Sequence, residues 1–434
     1  MSKIRKKEQT AILQSLRAGV VPRIGQQHIQ VGRIKEVTAL LSDIDNIAEG
    51  GSSIRFIIGE YGSGKTFFMN LIYTLAMEQK MVTAHVDLNP DRRLHASGGQ
   101  ARSLYAELMR NMATRTKPEG GALANVAERF ITASLRTAKE AGITPEQAIQ
   151  QRLSELTELW GGYDFAQVIE AYWRGHDTGN EQLKSDALRW LRAEFTTKTD
   201  ARKALGVRNI IDDATIYDHL KLMSRFIKLA GFRGFLVGFD ELVNLYKLSN
   251  TQARKSNYEQ ILRIVNDTLQ GSVEHLGVLM GGTPEFLMDP RRGLYSYEAL
   301  QSRLAENTFA NDNLSDMSGP VIRLANLTPE DLYILLTNIR GVMAMGNESD
   351  YLVPDEALHK FLDHCHERIG SAYFTTPRNT VKSFVHLLSI LEQNPNQDWQ
   401  SLLGNVTLEA DNNPDMAQLD EEDEEDESLA TFRL

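Results

Sequence analysis

The chain has almost no cysteine: one residue in 434, Cys365. No intramolecular disulfide can form, and such usage fits a reducing compartment. It also lacks a long apolar run. Nothing approaches the ~20 apolar residues needed to cross a bilayer, so no membrane span and no membrane partner are expected. The start, Met1-Ser2-Lys3-Ile4-Arg5-Lys6-Lys7, is basic like the head of a signal peptide. The next stretch, Ala11-Ile12-Leu13-Gln14-Ser15-Leu16-Arg17, is broken by polar residues and supplies no hydrophobic region. A cytoplasmic location is therefore expected. There is no internal repeat, no Ser/His/Asp triad and no zinc spacing. His364-Cys365-His366 falls in an expected helix, where adjacent side chains point in different directions and make a poor metal site.

Charge is scarce too, once it is located. The net charge is -11, but residues 409–434 hold eleven acids and one arginine, a net of -10, which leaves -1 for residues 1–408. A body so nearly neutral neither demands nor excludes nucleic acid, because one face can still be basic. The run Asp420-Glu421-Glu422-Asp423-Glu424-Glu425-Asp426-Glu427 cannot bury a core, so residues 405–434 are expected to be a disordered acidic tail. The apolar tip Ser428–Leu434 admits three readings. It is a tethered docking peptide, part of a nucleic-acid mimic, or the end of a solubilising tail.

What is present is a body too long for one core, so two or three domains are expected. Short apolar runs bounded by turn residues mark buried parallel strands at 54–58, 81–87, 235–239 and 276–281, with a weaker one at 321–324. Between the second and third strands, roughly residues 95–230, helical periodicity prevails: 103–114, 122–140, 145–159, 165–175, 181–195 and 215–230. A short amphipathic helix is expected at 6–18, and another follows Val31-Gly32-Arg33. After residue 327 the pattern is again helical: 329–344, 355–368 and 378–392. Thr328-Pro329-Glu330-Asp331 carries the cap, the proline and the first-turn acids of a helix start.

Gly59-Glu60-Tyr61-Gly62-Ser63-Gly64-Lys65-Thr66 matches GxxxxGK[ST] at every defined position. The glycines let backbone N–H groups turn inward around phosphate oxygens. Lys65 brings a cation to the β- and γ-phosphates of ATP, and Thr66 offers a hydroxyl to Mg²⁺. Phe67 opens a helix whose dipole adds to the anion site. A random chain of this length gives the match with a probability on the order of one per cent, before the flanking strand and helix are counted.

Phe239-Asp240-Glu241 closes the third strand. After such a loop, Asp240 is the candidate metal holder and Glu241 the residue that orients the attacking water; the rival reading is a helix cap. Thr283, at the tip of the fourth strand in Gly282-Thr283-Pro284-Glu285, is either a γ-phosphate sensor or a turn residue before proline.

The order of these parts resembles AAA+ proteins. Val31-Gly32-Arg33-x-x-Glu36 resembles the box on the adenine side, and Leu300-Gln301-Ser302-Arg303-Leu304 the segment that carries an arginine acting on a neighbouring subunit's site. Ile322-Arg323-Leu324-x-x-Leu327-Thr328-Pro329-Glu330-Asp331 resembles the passage into the lid, and Thr376-Pro377-Arg378 the start of the sensor-two helix. Arg291 and Arg292 rival Arg303. The narrower resemblance is to the BrxD-type ATP-binding family of BREX phage-defence systems. It rests on Leu16-Arg17-Ala18-Gly19-Val20-Val21-Pro22, on Gly59 through Phe68, on Phe239-Asp240-Glu241-Leu242-Val243-Asn244-Leu245 and on Gly281-Gly282-Thr283-Pro284-Glu285-Phe286.

The resemblance implies an α/β AAA+ P-loop core with a five-stranded parallel sheet. A large helical insertion lies between strands two and three, with a C-terminal helical lid after the core. The boundaries are an N-terminal helical segment 1–50, a core 51–325, a lid 326–404 and the tail. It implies an ATPase using ATP and Mg²⁺ as motor or switch in defence against phage or foreign DNA. Expected partners are other copies of the chain, a helicase or other defence proteins, and DNA. The rival is an initiator-like binding switch with little turnover; a signalling ATPase would need a fused effector, and none is visible. Two features depart from the pattern. Lys65 and Asp240 lie 175 positions apart, and no winged helix follows the lid.

Overall fold

In a computed structural model, the described residues are 4–307, 316–371, 374 and 376–403. The acidic tail expected at 405–434 lies outside them. The chain divides into two compact units. The larger takes in residues 35–57 and 72–322; the smaller takes in the described parts of 1–34, 58–71 and 323–434.

Five parallel strands in the order β2-β3-β4-β1-β5 belong to the larger unit, all but their end residues Ile58 and Arg323. Their ranges are β1 Ser52–Ile58, β2 Val82–Asp87, β3 Phe235–Asp240, β4 Leu276–Gly282 and β5 Val321–Arg323. Every residue of β3 and β4 is buried, as expected for strands covered on both faces. The register between β2 and β3 runs from Val82 opposite Phe235 to Asp87 opposite Asp240, so each strand ends on an aspartate beside the other. The chain leaves β1, β3 and β4 at the carboxyl edge of the sheet, where ligands gather in open α/β sheets.

Seven helices separate β2 from β3: Gln100–Arg110, Leu123–Ala141, Pro145–Thr157, Gly162–Thr178, Glu181–Leu191, Lys198–Leu205 and Ile216–Leu229. Their interior is aromatic. Phe130 and Phe165 pack on Phe226 at 5.2 and 5.5 Å, Phe165 meets Trp190 at 6.3 Å, and Trp190 meets His219 at 5.6 Å. Burial holds His219 below the usual histidine range. This insertion therefore carries a core of its own kind.

The smaller unit packs helices Lys6–Arg17, Pro329–Met343, Asp355–Ile369 and Arg378–Gln393 around Ile12, Ile29, Leu336, Ile339, Phe361, Phe384 and Leu388. The Thr328 hydroxyl accepts the Asp331 N–H at 3.1 Å, while the Asp331 carboxylate accepts the Thr328 N–H at 3.2 Å. That reciprocal cap starts the helix where the sequence places it. Arg17 donates to Ser389 Oγ at 2.7 Å and Gln9 to the Met343 carbonyl at 2.6 Å, tying the N-terminal helix to the later ones. Cys365 is buried in this core, and burial pushes its thiol up to about 12.

Candidate functional site: the glycine loop and the strand-end carboxylates

In the smaller unit the segment from Gly59 to Gly64 wraps back on itself before the helix Lys65–Glu78 begins. Gly62 and Gly64 have φ of +81° and +80°, a backbone that glycine adopts without steric cost. The Lys65 ammonium donates to the Gly59 carbonyl at 2.7 Å and to the Glu60 carbonyl at 2.9 Å. Ser63 is buried, and among the described residues its hydroxyl meets no hydrogen-bond partner. A buried unpaired hydroxyl costs free energy unless something meets it.

Two distant segments converge on this loop. Arg33 has a left-handed backbone, φ +61°, after Gly32 at the same φ. Its guanidinium donates to the Ser63 carbonyl, reaches the Ala325 carbonyl at 3.4 Å and lies 5.8 Å from the Phe68 ring centroid. Val31 is half-buried in the loop before it. On another side, a Cβ placed on Gly62 would meet Thr376 Cγ2 at 2.9 Å. Arg378 Nη1 lies 3.5 Å from the Tyr61 hydroxyl, and its stem covers Gly19. Within the smaller unit, then, the expected residues Arg33, Gly59–Phe67 and Arg378 stand together.

The larger unit holds the acidic pair. Asp240 is buried at the last position of β3, and its Oδ1 accepts the Glu241 N–H at 2.9 Å. Glu241 is exposed, with φ +58°. A left-handed glutamate costs about 1–2 kcal/mol relative to the ordinary backbone. The bend is held by neighbours: Asn244 N–H and Nδ2 donate to the Glu241 carbonyl at 3.0 and 3.2 Å, Nδ2 also reaches the Leu88 carbonyl at 2.9 Å, and Leu242 N–H donates to the Gly281 carbonyl at 3.0 Å.

The family model for the BREX system ATP-binding protein BrxC/D matches residues 4–407. The chain belongs to that family. No curated protein matches it. Membership makes the ligand ATP, and the glycine loop of this BrxC/D-family chain fits a phosphate chain. Two left-handed glycines, a loop lysine and a buried serine hydroxyl without a partner are the groups such an anion needs.

The remaining expected residues of this family member lie in the larger unit, as the acidic pair does. Thr283 caps the helix Pro284–Met288, its hydroxyl accepting the Phe286 N–H at 3.4 Å; a hydroxyl that accepts there still has its own proton to donate. Arg303 is exposed in the larger unit, donating from Nε to Asn266 at 2.6 Å and from Nη1 to the Ala299 carbonyl at 2.8 Å. Arg292 is turned inward over Tyr246, 5.6 Å from its ring centroid, and its carbonyl accepts the Tyr258 hydroxyl at 2.7 Å. Arg291 is exposed.

Three residues of the site were given no role of their own in the sequence reading. Asn244 is one. Tyr73, from the helix after the loop, is 4% exposed, stacks on His85 at 5.1 Å and fills the hollow over Gly238. A Cβ at 238 would fall 1.6 Å from its hydroxyl, so only glycine fits there. Burial, then the charges of Asp240 and Asp87, push the Tyr73 phenol well above the usual tyrosine range. Asp87 is the third: partial burial, then the Asp240 carboxylate, raise its own carboxyl, against a smaller pull downward from Arg92. The one sequence signal was an acid ending an apolar strand, the same signal that singled out Asp240.

This repulsion has a measurable consequence. A carboxyl raised in the fold binds its proton more tightly there than in the unfolded chain. Its contribution is fully present below the unfolded value, about 3.9, and is lost as pH rises through the folded value. Asp87→Asn is therefore expected to raise Tm at pH 7, with the gain shrinking as pH approaches 4. Thermal unfolding of both proteins at the two pH values checks it; an equal gain at both, or a loss at pH 7, means the two carboxylates do not oppose one another.

Proposed function

We propose that the chain is an ATPase of the AAA+ kind that binds ATP with Mg²⁺ and hydrolyses it, serving BREX phage defence as a motor or switch beside DNA-acting partners such as a helicase. The observation that carries this reading is the loop Gly59–Thr66, with its left-handed glycines, its lysine and its unpaired serine hydroxyl. The Lys65 ammonium binds the β- and γ-phosphates in place of its own loop carbonyls. The Thr66 hydroxyl and the Asp240 carboxylate are hard oxygen donors suited to Mg²⁺. Mg²⁺, when bound, neutralises charge that develops on the phosphate oxygens. Glu241 orients the attacking water and accepts its proton. Arg378, already against Tyr61, meets the γ-phosphate and passes its presence to the helices of the smaller unit. Thr283 donates its hydroxyl proton toward the same phosphate. Arg303, held at the surface by Asn266, completes the site of a neighbouring copy.

Phosphate release from ATP tests this directly, measured with Mg²⁺ and with the metal chelated, over a hundredfold range of protein concentration. Release is expected only with Mg²⁺, and the rate per subunit is expected to climb with concentration. No release at any concentration overturns the hydrolysis reading. A rate indifferent to dilution removes Arg303 from a neighbour's site while leaving hydrolysis standing.

A further inference from the structure

Among the described residues, two exposed large apolar side chains are aromatic, and they lie three positions apart. Trp160 is 56% exposed and Tyr163 is 61% exposed. They flank Gly161, φ +77°, in the turn between helices Pro145–Thr157 and Gly162–Thr178. We propose that this turn, with Arg208, is a stacking platform for single-stranded nucleic acid.

The platform is rigid on its inner side and open on its outer side. Trp160 stands edge-on to His219 at 5.9 Å, and His219 in turn packs on buried Trp190. Tyr163 has the Arg208 guanidinium 5.7 Å from its ring centroid. Arg208 is held there through Asp164, which is 4% exposed and accepts the Arg208 N–H at 2.9 Å and both the N–H and Nδ2 of Asn209 at 3.0 Å. That carboxylate is thus spent inward. Lys198 Nζ reaches Asn209 Oδ1 at 3.1 Å, which brings a second cation to the same loop. Over residues 198–208 the exposed charges are Lys198, Arg202, Lys203 and Arg208 against Asp200 alone. Aromatic faces with Arg208 against one of them and Lys198 tied to the same loop suit splayed bases on a phosphate backbone, and every base offers a face to stack. Rings of this kind also serve protein partners as binding anchors; the surplus of cations favours the polyanion. The exposed acid nearest in sequence to the platform is Glu158.

Fluorescence anisotropy of labelled 20-nucleotide single-stranded DNA and RNA, with full-length protein and with or without ATP, tests the proposal. Binding is expected with either sugar, without competition from ATP, and with quenching of tryptophan emission. The Trp160→Ala/Tyr163→Ala double variant is expected to lose roughly tenfold or more in affinity. Trp160→Phe is expected to keep the affinity and lose the quenching. Arg208→Gln is expected to flatten the salt dependence by about 0.7 in the logarithmic slope. Glu158→Lys is expected to tighten binding, a gain that misfolding does not mimic. Equal affinity of wild type and double variant overturns the platform, as does displacement of the oligonucleotide by ATP. Absence of oligonucleotide binding, even where Trp160 is needed to capture a BREX protein, overturns it in favour of a protein-docking turn.

Discussion

Lys65→Ala is expected to remove ATP binding, weakening Kd at least ~100-fold, while the chain still folds. The ammonium is the one cation inside the glycine loop's sequence, and a charge-assisted bond to phosphate in a partly enclosed site is among the strong ones. About 1.4 kcal/mol corresponds to each tenfold, so losing two such bonds accounts for the size. In the structure the same ammonium closes the loop through the Gly59 and Glu60 carbonyls. Alanine therefore also frees the loop to loosen, and the two effects must be separated. Thermal unfolding without nucleotide reads the loop alone, and a shift of a few degrees at most is expected from a half-buried lysine. Adding ATP is expected to raise the wild-type Tm and leave the variant where it was, because only a ligand that binds the folded state stabilises it. Calorimetric titration gives the affinity itself. A variant within threefold of wild type would sink the assignment of the loop.

Much of the sheet was legible because its strands are apolar on both faces. Ile54–Ile58, broken only by Arg55, Phe235–Phe239 and Leu276–Gly281 give short, mostly apolar runs, and their observed limits differ from the reading by two residues or fewer. The glycine loop was legible because its chemistry is local: turn, cation and hydroxyl all fall within eight positions. The helix Thr251–Leu269 was not read. Its buried face includes Arg254, Asn257 and Thr268 as well as Tyr258, Ile261, Ile264 and Val265, which blurs the apolar period. The helix Lys198–Leu205 is short and buries only Ala201 and Leu205.

Contacts made across the chain were beyond a linear reading. Tyr61 and Arg378 are 317 positions apart, and nothing near either residue announces the other. Asp87 meets Asp240 only because β2 lies beside β3, a neighbourhood set by crossover topology and not by spacing. Gly238 interrupts the larger side chains of its strand. Its reason is Tyr73, from a helix far upstream, whose hydroxyl takes the place a side chain would occupy.

Glu241→Gln separates a motor from a binding switch. The amide keeps the length and shape of the side chain and one acceptor oxygen, but it no longer takes a proton at neutral pH. If Glu241 accepts a proton from the attacking water, turnover is expected to fall roughly 10²–10⁴-fold. ATP affinity is expected to hold, since phosphate binding falls to Lys65. The backbone gives the test its discrimination. The left-handed turn at 241 is fixed by Asn244 and by the Leu242 bond to β4, neither of which involves the carboxylate. Substitution therefore leaves the turn standing, and a lost rate reports chemistry and not a collapsed strand end. Asn244→Ala offers the converse, with the carboxylate kept and its backbone restraint relaxed, so a smaller loss with the same pH dependence is expected. Single-turnover phosphate release on preformed enzyme–ATP complex measures both. A Glu241→Gln chain that releases phosphate as fast as wild type means that another group activates the water. One that shows no turnover in either form, yet still supports defence, means that ATP acts here by being held.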